Sequence, residues 1–323
     1  MFKLYFGNNI AALVFLPLII GVYYVNFFLF GDPGTSLELS FGFFGKKSGA
    51  DPFLFGLLGV VIVFVNAILI NRIFNRNDFM EKNNFLTALL YVVCYSFFHS
   101  FYFLDGLSIA HFLIVLMLYQ LFALKQNEDA RRTVFNAALL FSMACTFYPV
   151  LTVATPVLFS IIWIFRPVII REAALLISGL VVPLIYVWLY GYLFNIEVTV
   201  EELSSSIPKK IELEIVISGM MALVLLLFAA PMVIKKISAS SIRLKKLFKM
   251  LLLLLGMTLV AGAIEVGYYY KIGGASLLII PMIFFLSYAF GKKNIRVLPV
   301  AIFYLFYLFS IGKFFVPIQL SGI

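Results

Sequence analysis

Long apolar runs separated by short polar connections extend along nearly the whole chain. Most of these runs are long enough to cross a hydrocarbon layer of about 30 Å as a helix. A segment in lipid must satisfy its backbone hydrogen bonds internally, which favours helices. The sequence lacks the strands of about ten residues with alternating polarity that are typical of outer-membrane barrels. The pattern therefore predicts an all-α fold, a polytopic transmembrane helical bundle.

About eleven spans are predicted, and together they account for most of the chain. They cover residues 9–30, 53–74, 84–100, 107–124, 134–148, 151–166, 173–194, 213–234, 249–267, 275–290 and 296–315. The fifth and sixth spans are short and meet at Tyr148-Pro149, so residues 134–166 could instead form a re-entrant hairpin. In that case about nine crossings would remain.

The connections between the spans are too short to contain a soluble domain, so residues 1–323 are predicted to form a single integral membrane domain. Two sub-bundles, 1–194 and 213–323, would be joined by an outer loop, 195–212. Residues 235–249 combine Lys and Arg with apolar residues. This composition is typical of an amphipathic helix that lies on anionic headgroups.

Composition and charge support a membrane location and orient the bundle. Of the 323 residues, 63% are hydrophobic and only 12% are charged, whereas about a quarter of the residues in a soluble domain are charged. Eighteen of the 24 Lys and Arg residues fall on the side of the predicted bundle that contains the N-terminus. Because positive charge resists translocation, we expect the bacterial inner membrane, a cytoplasmic N-terminus and a periplasmic C-terminus. The net charge of +9 reflects this topology, and we expect no nucleic-acid partner because the chain offers no basic soluble surface.

Four ionisable residues near the outer ends of predicted spans are candidates for a polar pocket. They are His99, Asp105, His111 and Glu265. Ionisable groups at membrane depth are costly and often functional. A shared outward-opening pocket would collect them together with the acids of the first outer loop. The alternative is that each side chain reaches headgroups or water from the end of its span.

Two further sets of residues are candidates for chemistry. The first outer loop contains Asp32, Glu38 and Asp51, which could act as a general base or as metal ligands near the membrane surface. Two of these acids precede proline, which is also ordinary turn chemistry. Arg166 and Arg171 lie between the sixth and seventh spans, where they could bind an anion or a lipid phosphate or could simply anchor the cytoplasmic side.

Motifs of common soluble enzymes are absent from the sequence. It contains no Gly-rich phosphate loop, no paired His of a metalloprotease and no serine nucleophile motif. Both cysteines, Cys94 and Cys145, lie within apolar spans and are interpreted as packing residues. The sequence therefore predicts no metal and no cofactor.

Four stretches between the second and seventh spans carry a family resemblance: residues 65–72, 83–91, 165–172 and 179–183. The last two contain an Arg-Pro…Arg-Glu…Gly…Pro run, which is the most specific part. Over roughly 60–195 the chain resembles an uncharacterised family of inner-membrane proteins from Bacteroidota. This resemblance implies no established activity.

The order of the parts more loosely resembles the membrane bundle of GT-C glycosyltransferases, which use polyprenyl-phosphate sugars. The shared order is a first span, an acidic outer loop, an Asn-rich span, short hairpins and an Arg-Pro junction. In that family an acidic residue of the first outer loop acts at the outer membrane surface, and Asp32, Glu38 and Asp51 are the residues that could match. The chain lacks the paired Asp-Glu usually found after the first span, and it lacks the large soluble outer domain.

Three hypotheses for the function follow. The first is a non-catalytic subunit or scaffold of a cell-envelope complex, with membrane lipids and other membrane proteins as partners. The second is a GT-C-like glycosyltransferase or handler of lipid-linked sugars, which predicts an outward cavity that contains a loop acid. The third is a transporter or lipid flippase, which predicts a central polar cavity lined by Asn66, His111 or Glu265.

Overall fold

The computed structural model shows a helical bundle with one small β-hairpin. It describes residues 2–7, 10–30, 37–124, 129–165, 169–194, 213–269, 272–291 and 297–315. Within these residues, eleven α-helices have eight residues or more: α1 Ile10–Phe30, α2 Pro52–Arg76, α3 Leu86–Tyr95, α4 Gly106–Phe122, α5 Arg131–Phe147, α6 Thr155–Phe165, α7 Ile170–Phe194, α8 Leu213–Ala239, α9 Ile242–Ile264, α10 Ile279–Leu286 and α11 Val297–Gly312. The predicted all-α fold is therefore confirmed.

Short helical segments also occur, and some of them continue a longer helix. They are a turn at Phe2–Tyr5, 3₁₀ segments at Gly42–Phe44, His99–Phe101, Pro149–Ala154, Gly273–Leu278 and Ser287–Phe290, and a π-helical turn at Glu265–Tyr269. Each of the eleven predicted spans coincides with at least one helix, because long apolar runs have no other way to satisfy their backbone in lipid.

Six of the described helical segments are long and apolar enough to cross a membrane: Ala11–Phe30, Pro52–Arg76, Ile170–Phe194, Glu214–Ala239, Ile242–Gly267 and Gly273–Phe290. By contrast, α3 has ten residues, all of them buried within the protein. A helix of that length is only about 15 Å long, so it cannot cross alone. The length and apolar character of these helices thus indicate a membrane protein. The total of about eleven crossings stays a prediction.

One end of the bundle, here called the hairpin end, is covered by a β-hairpin that the sequence pattern did not predict. Strands β1 (Leu37–Ser40) and β2 (Lys46–Ala50) pair antiparallel. Gly42, between them, has a positive φ of +64°, and a Cβ there would lie 2.5 Å from the Phe147 carbonyl oxygen. Gly106, which begins α4, approaches the same oxygen equally closely. The hairpin therefore packs directly on the start of α4 and the end of α5.

The opposite end, here called the basic end, is connected by contacts of cationic side chains. Arg76 at the end of α2 donates to the Tyr119 hydroxyl at 2.8 Å. Arg243 at the start of α9 donates to the Phe122 carbonyl at 3.3 Å. Lys246 donates to the Phe165 carbonyl at 3.1 Å. These contacts bring the ends of α2, α4 and α6 together with the start of α9.

Residues 134–165, the described part of the predicted hairpin 134–166, run between the two ends. Helix α5 ends at Phe147 beside the hairpin, and it extends about 25 Å away from there. The chain then turns through Pro149–Ala154 and returns along α6 to Phe165 at the basic end. This path is that of two antiparallel helical arms.

The basic segment 235–249 is not a separate surface helix, so that expectation is wrong. Its first residues complete α8, which ends at Ala239, and its later residues begin α9. The Ser241 hydroxyl caps α9 by accepting the Leu244 N–H. A serine run breaks the helix here because Ser side chains compete for nearby backbone groups and favour caps over helix interiors.

Candidate functional site

A cavity of about 350 Å³ opens at the hairpin end. Polar side chains line it from several elements: Ser40, His99, Ser100, Asp105, Tyr148 and Glu265. The structure therefore brings together three of the four residues that the sequence suggested for a polar pocket. His111 is the fourth, and it does not line this cavity.

Asp105 caps α4 at the wall of the cavity. Its Oδ1 accepts the Ser108 N–H at 2.7 Å, and its Oδ2 accepts the Ser100 hydroxyl at 2.5 Å. Burial raises the pKa of Asp105 above its ordinary value, although these hydrogen bonds and the nearby His99 oppose the shift. Much of the hydrogen-bonding capacity of this carboxyl is thus used in the capping box.

Glu265 places a second carboxylate at the cavity, where α9 passes into the π-helical turn Glu265–Tyr269. The side chain is only 3% exposed. Its Oε2 accepts the Gly274 N–H at 2.5 Å. A Cβ on Gly274 would lie 2.4 Å from this oxygen and 2.3 Å from the Tyr148 hydroxyl. Only glycine allows the backbone to come this close to both groups.

His99 lies at the rim of the cavity in the 3₁₀ turn after α3. It is exposed, and its ring contacts Phe103 at 5.0 Å between centroids. Phe27 packs on the Tyr102 ring at 4.3 Å. The rim histidine is therefore supported by an aromatic cluster from α1 and the turn.

His111 lies in the interior, behind the cavity wall. Its Nε2 is 2.8 Å from the Ser276 hydroxyl, and its Nδ1 is 3.4 Å from the Tyr91 hydroxyl. Tyr95 stacks on the imidazole ring at 4.4 Å. Asn66 donates to the Tyr91 hydroxyl at 3.3 Å. Asn66 and His111 thus belong to one hydrogen-bonded chain and do not line a central channel.

Of the three acids of the first outer loop, only the side chain of Asp51 is described, and it does not line the cavity. Asp51 is exposed and caps α2 by accepting the Phe53 N–H at 3.0 Å. Asp32 and the side chain of Glu38 lie outside the described part of the chain.

The predicted arginine pair is only partly described. Arg171 is exposed in the first turn of α7, and Arg166 lies outside the described residues. The neighbouring Glu172 is buried in the same turn.

Several site residues were missed by the sequence reasoning. Tyr148, Gly274 and Ser276 are ordinary residues of apolar stretches, and only their neighbours in the fold give them a role. Outside the cavity lining, Lys313 is also nearly buried: it is 9% exposed and donates to the Ser96 carbonyl at 2.7 Å. Its ammonium group lies about 5 Å from three aromatic rings.

Exposed aromatic residues lie near the end of α7. Trp188 and Tyr192 stack on each other and are 68% and 72% exposed. Tyr190 contacts Phe44 of the hairpin at 5.5 Å, and Phe44 contacts Phe147 of the cavity lining at 5.1 Å. Exposed Trp and Tyr are enriched at the membrane–water interface. Through Phe44 and Tyr190, the cavity lining is thus connected to the end of α7 that carries this exposed aromatic pair.

Among the described residues, no group of three or more His, Cys, Asp and Glu side chains has an arrangement that could hold a metal ion. The side chains that line the cavity supply carboxyl, imidazole and hydroxyl groups.

Comparison with known proteins found no matching family model, no matching curated protein and no matching solved structure.

Proposed function

We propose that this protein is a bacterial inner-membrane protein that binds the polar group of a lipid-borne substrate in the hairpin-end cavity. The observation that supports this proposal is the position of two carboxyl side chains, Asp105 and Glu265, in a cavity whose lining contacts the exposed aromatic end of α7, which we propose to lie at the membrane–water interface. A lipid-borne substrate presents its polar group at this depth while its chain stays in the bilayer. The proposal corresponds to the second of the three hypotheses.

The size of the cavity suits a head group. Pockets for small ligands have volumes of about 300–1,000 Å³, and this cavity has about 350 Å³. It would accommodate a single polar ring or group of that size, while an acyl or polyprenyl chain would have to extend outside. The exposed apolar faces of α1 and α7 offer a lipid-facing surface for such a chain.

The lining chemistry favours a group that donates hydrogen bonds. Carboxylates accept hydrogen bonds from hydroxyl and amino groups and repel phosphate. We therefore propose a hydroxyl-bearing group, such as a sugar, inside the cavity. In a GT-C-like reaction, Glu265 would be suited to accept the proton of an attacking hydroxyl. This assignment replaces Asp51 as a candidate, because Asp51 caps α2 outside the cavity lining, while Asp32 and Glu38 stay sequence predictions.

The proposed orientation places the basic end in the cytoplasm and the hairpin end in the periplasm. Arg76, Arg243 and Lys246 would then lie on the side that retains positive charge. The transporter hypothesis receives less support, because Asn66 and His111 are hydrogen-bonded in the interior rather than lining a cavity.

The test compares lipids that co-purify with the wild-type protein and with Glu265→Gln. The matched control is Glu172→Gln, because Glu172 is also a buried acid but lies away from the cavity. Each protein is purified in mild detergent, and its lipids are extracted and identified by mass spectrometry. We expect one hydroxyl-rich lipid class to be enriched over bulk membrane in the wild type and in Glu172→Gln, and to be lost in Glu265→Gln.

Two results would contradict the proposal. One is a lipid content that matches bulk membrane in all three proteins. The other is a stoichiometric protein partner that co-purifies without any enriched lipid, which would favour the scaffold hypothesis.

A further inference from the structure

Four fully buried polar residues form a chain that crosses the interior beside the cavity wall. They are Asn66 of α2, Tyr91 of α3, His111 of α4 and Ser276 of the 3₁₀ segment Gly273–Leu278, and each has 0% exposure. The successive contacts measure 3.3, 3.4 and 2.8 Å. Buried polar groups in lipid are expensive, so a continuous chain of them requires an explanation.

The hydrogen bonds along these four residues can be assigned in one direction, from Asn66 to Ser276. The Asn66 amide donates to the Tyr91 oxygen. The single hydroxyl hydrogen of Tyr91 is then available to donate to Nδ1 of His111. An uncharged imidazole has one donor nitrogen and one acceptor nitrogen, so a hydrogen bond from Tyr91 to Nδ1 would leave Nε2–H to donate to the Ser276 oxygen. The Asn66 Oδ1 atom, at the other end of this amide, has no donor among the described residues.

The last member of the chain belongs to the segment that holds the cavity carboxylate. Ser276 and Gly274 are two residues apart in the same 3₁₀ segment. The Gly274 N–H donates to Glu265 Oε2 at 2.5 Å. A short 3₁₀ segment has poor internal hydrogen-bond geometry, so a fixed side-chain anchor at Ser276 limits the positions that the Gly274 N–H can take.

We infer that His111 is a positioning residue for Glu265. It acts through Ser276 and the 3₁₀ segment Gly273–Leu278, while Asn66 and Tyr91 set the tautomer that it needs. This inference rests on the proposed function for the importance of Glu265. The anchoring itself does not require a ligand.

The anchoring is tested by amide hydrogen exchange in detergent, without added lipid. His111→Leu removes the donor to Ser276, and we expect exchange in residues 273–278 to rise about tenfold, as for one lost hydrogen bond. His111→Gln can place an amide N–H near the Nε2 position, so it should restore exchange to nearly the wild-type rate. Ser276→Ala should resemble His111→Leu.

The exchange pattern separates positioning from general destabilisation. Peptides from α7 are the internal control, because α7 makes none of the contacts in this chain. A rise confined to 273–278 supports the inference. An equal rise in α7, or no rescue by His111→Gln, would overturn it.

The direction of the chain is tested by ¹⁵N NMR of histidine. The sequence contains two histidines, so His99→Gln leaves His111 as a single labelled ring. We expect the chemical shifts of the Nε2–H tautomer. The Nδ1–H tautomer would overturn the proposed direction. If the exchange result holds while the lipid comparison fails, His111 still positions Glu265 and only the proposed function is refuted.

Discussion

Replacing Gly274 with alanine places a methyl group against the carboxylate that lines the cavity. The new Cβ would lie 2.4 Å from Glu265 Oε2 and 2.3 Å from the Tyr148 hydroxyl, whereas ordinary contacts measure 3.4–4 Å. Both groups must therefore move by about 1 Å. The movement breaks or lengthens the hydrogen bond from the Gly274 N–H to Glu265.

The expected cost follows from two opposing contributions. A hydrogen bond to a charged group contributes about 1.5–3 kcal/mol. Alanine lowers the conformational entropy of the unfolded chain, and this stabilises the folded state by about 0.4–1 kcal/mol where the backbone tolerates the residue. This gain offsets part of the lost hydrogen bond. We therefore expect Gly274→Ala to reduce the free energy of unfolding by about 1–2 kcal/mol.

The neighbouring glycine provides the matched control. A Cβ on Gly273 would lie 3.3 Å from the Leu107 Cδ2 atom and 3.9 Å from Glu265 Oε1. The Leu107 side chain can adjust by a few tenths of an ångström, so Gly273→Ala should change the free energy of unfolding by less than about 0.5 kcal/mol.

Thermal unfolding in detergent can be followed with a thiol-reactive fluorophore, because Cys94 and Cys145 are both free and buried. We expect Gly274→Ala to melt a few degrees below the wild type and Gly273→Ala to melt close to it. Equal melting temperatures for the two variants would refute the close approach of Gly274 to the carboxylate.

Two further predictions use the same assay. Because burial raises the pKa of Asp105, the folded state holds this proton more tightly than the unfolded state, so the stability that this group contributes falls as pH rises from about 4. Asp105→Asn can still cap Ser108, and its melting temperature should rise relative to that of the wild type over the same pH increase. A difference in melting temperature that does not depend on pH would contradict the burial of Asp105. Gly42→Ala should lower the free energy of unfolding by about 1–3 kcal/mol, because φ is +64° and the Cβ would lie 2.5 Å from the Phe147 carbonyl oxygen. A melting temperature within one degree of the wild type would show that the hairpin does not pack on α5.

The helices could be predicted from sequence because their cause is local. Long apolar runs must be helical in lipid, and Asp-Pro and Ser signals begin α2 and α9. The β-hairpin could not be predicted in the same way. Its three positive-φ glycines, Gly42, Gly45 and Gly49, are a turn signal only once the strands that flank them are known.

For the residues of the site, the sequence predicted only how far each residue lies along its span. His99, Asp105 and Glu265 fall near the same end of the bundle, and the structure gathers them around one cavity. His111 has a similar depth, but it lies on the helix face that meets Tyr91 and Ser276. The side of a helix that faces a given neighbour depends on packing between distant segments, which a single apolar sequence does not specify.

The most direct test of the account is whether the cavity opens to the outer face of the membrane. Val150 lines the cavity, and Arg131 is exposed at the other end of α5. Val150→Cys and Arg131→Cys can each be treated with a membrane-impermeant maleimide in intact cells, since the native cysteines are buried. If the hairpin end faces the periplasm, Val150→Cys is labelled in intact cells and Arg131→Cys is labelled only after permeabilisation. The reverse pattern would contradict the account.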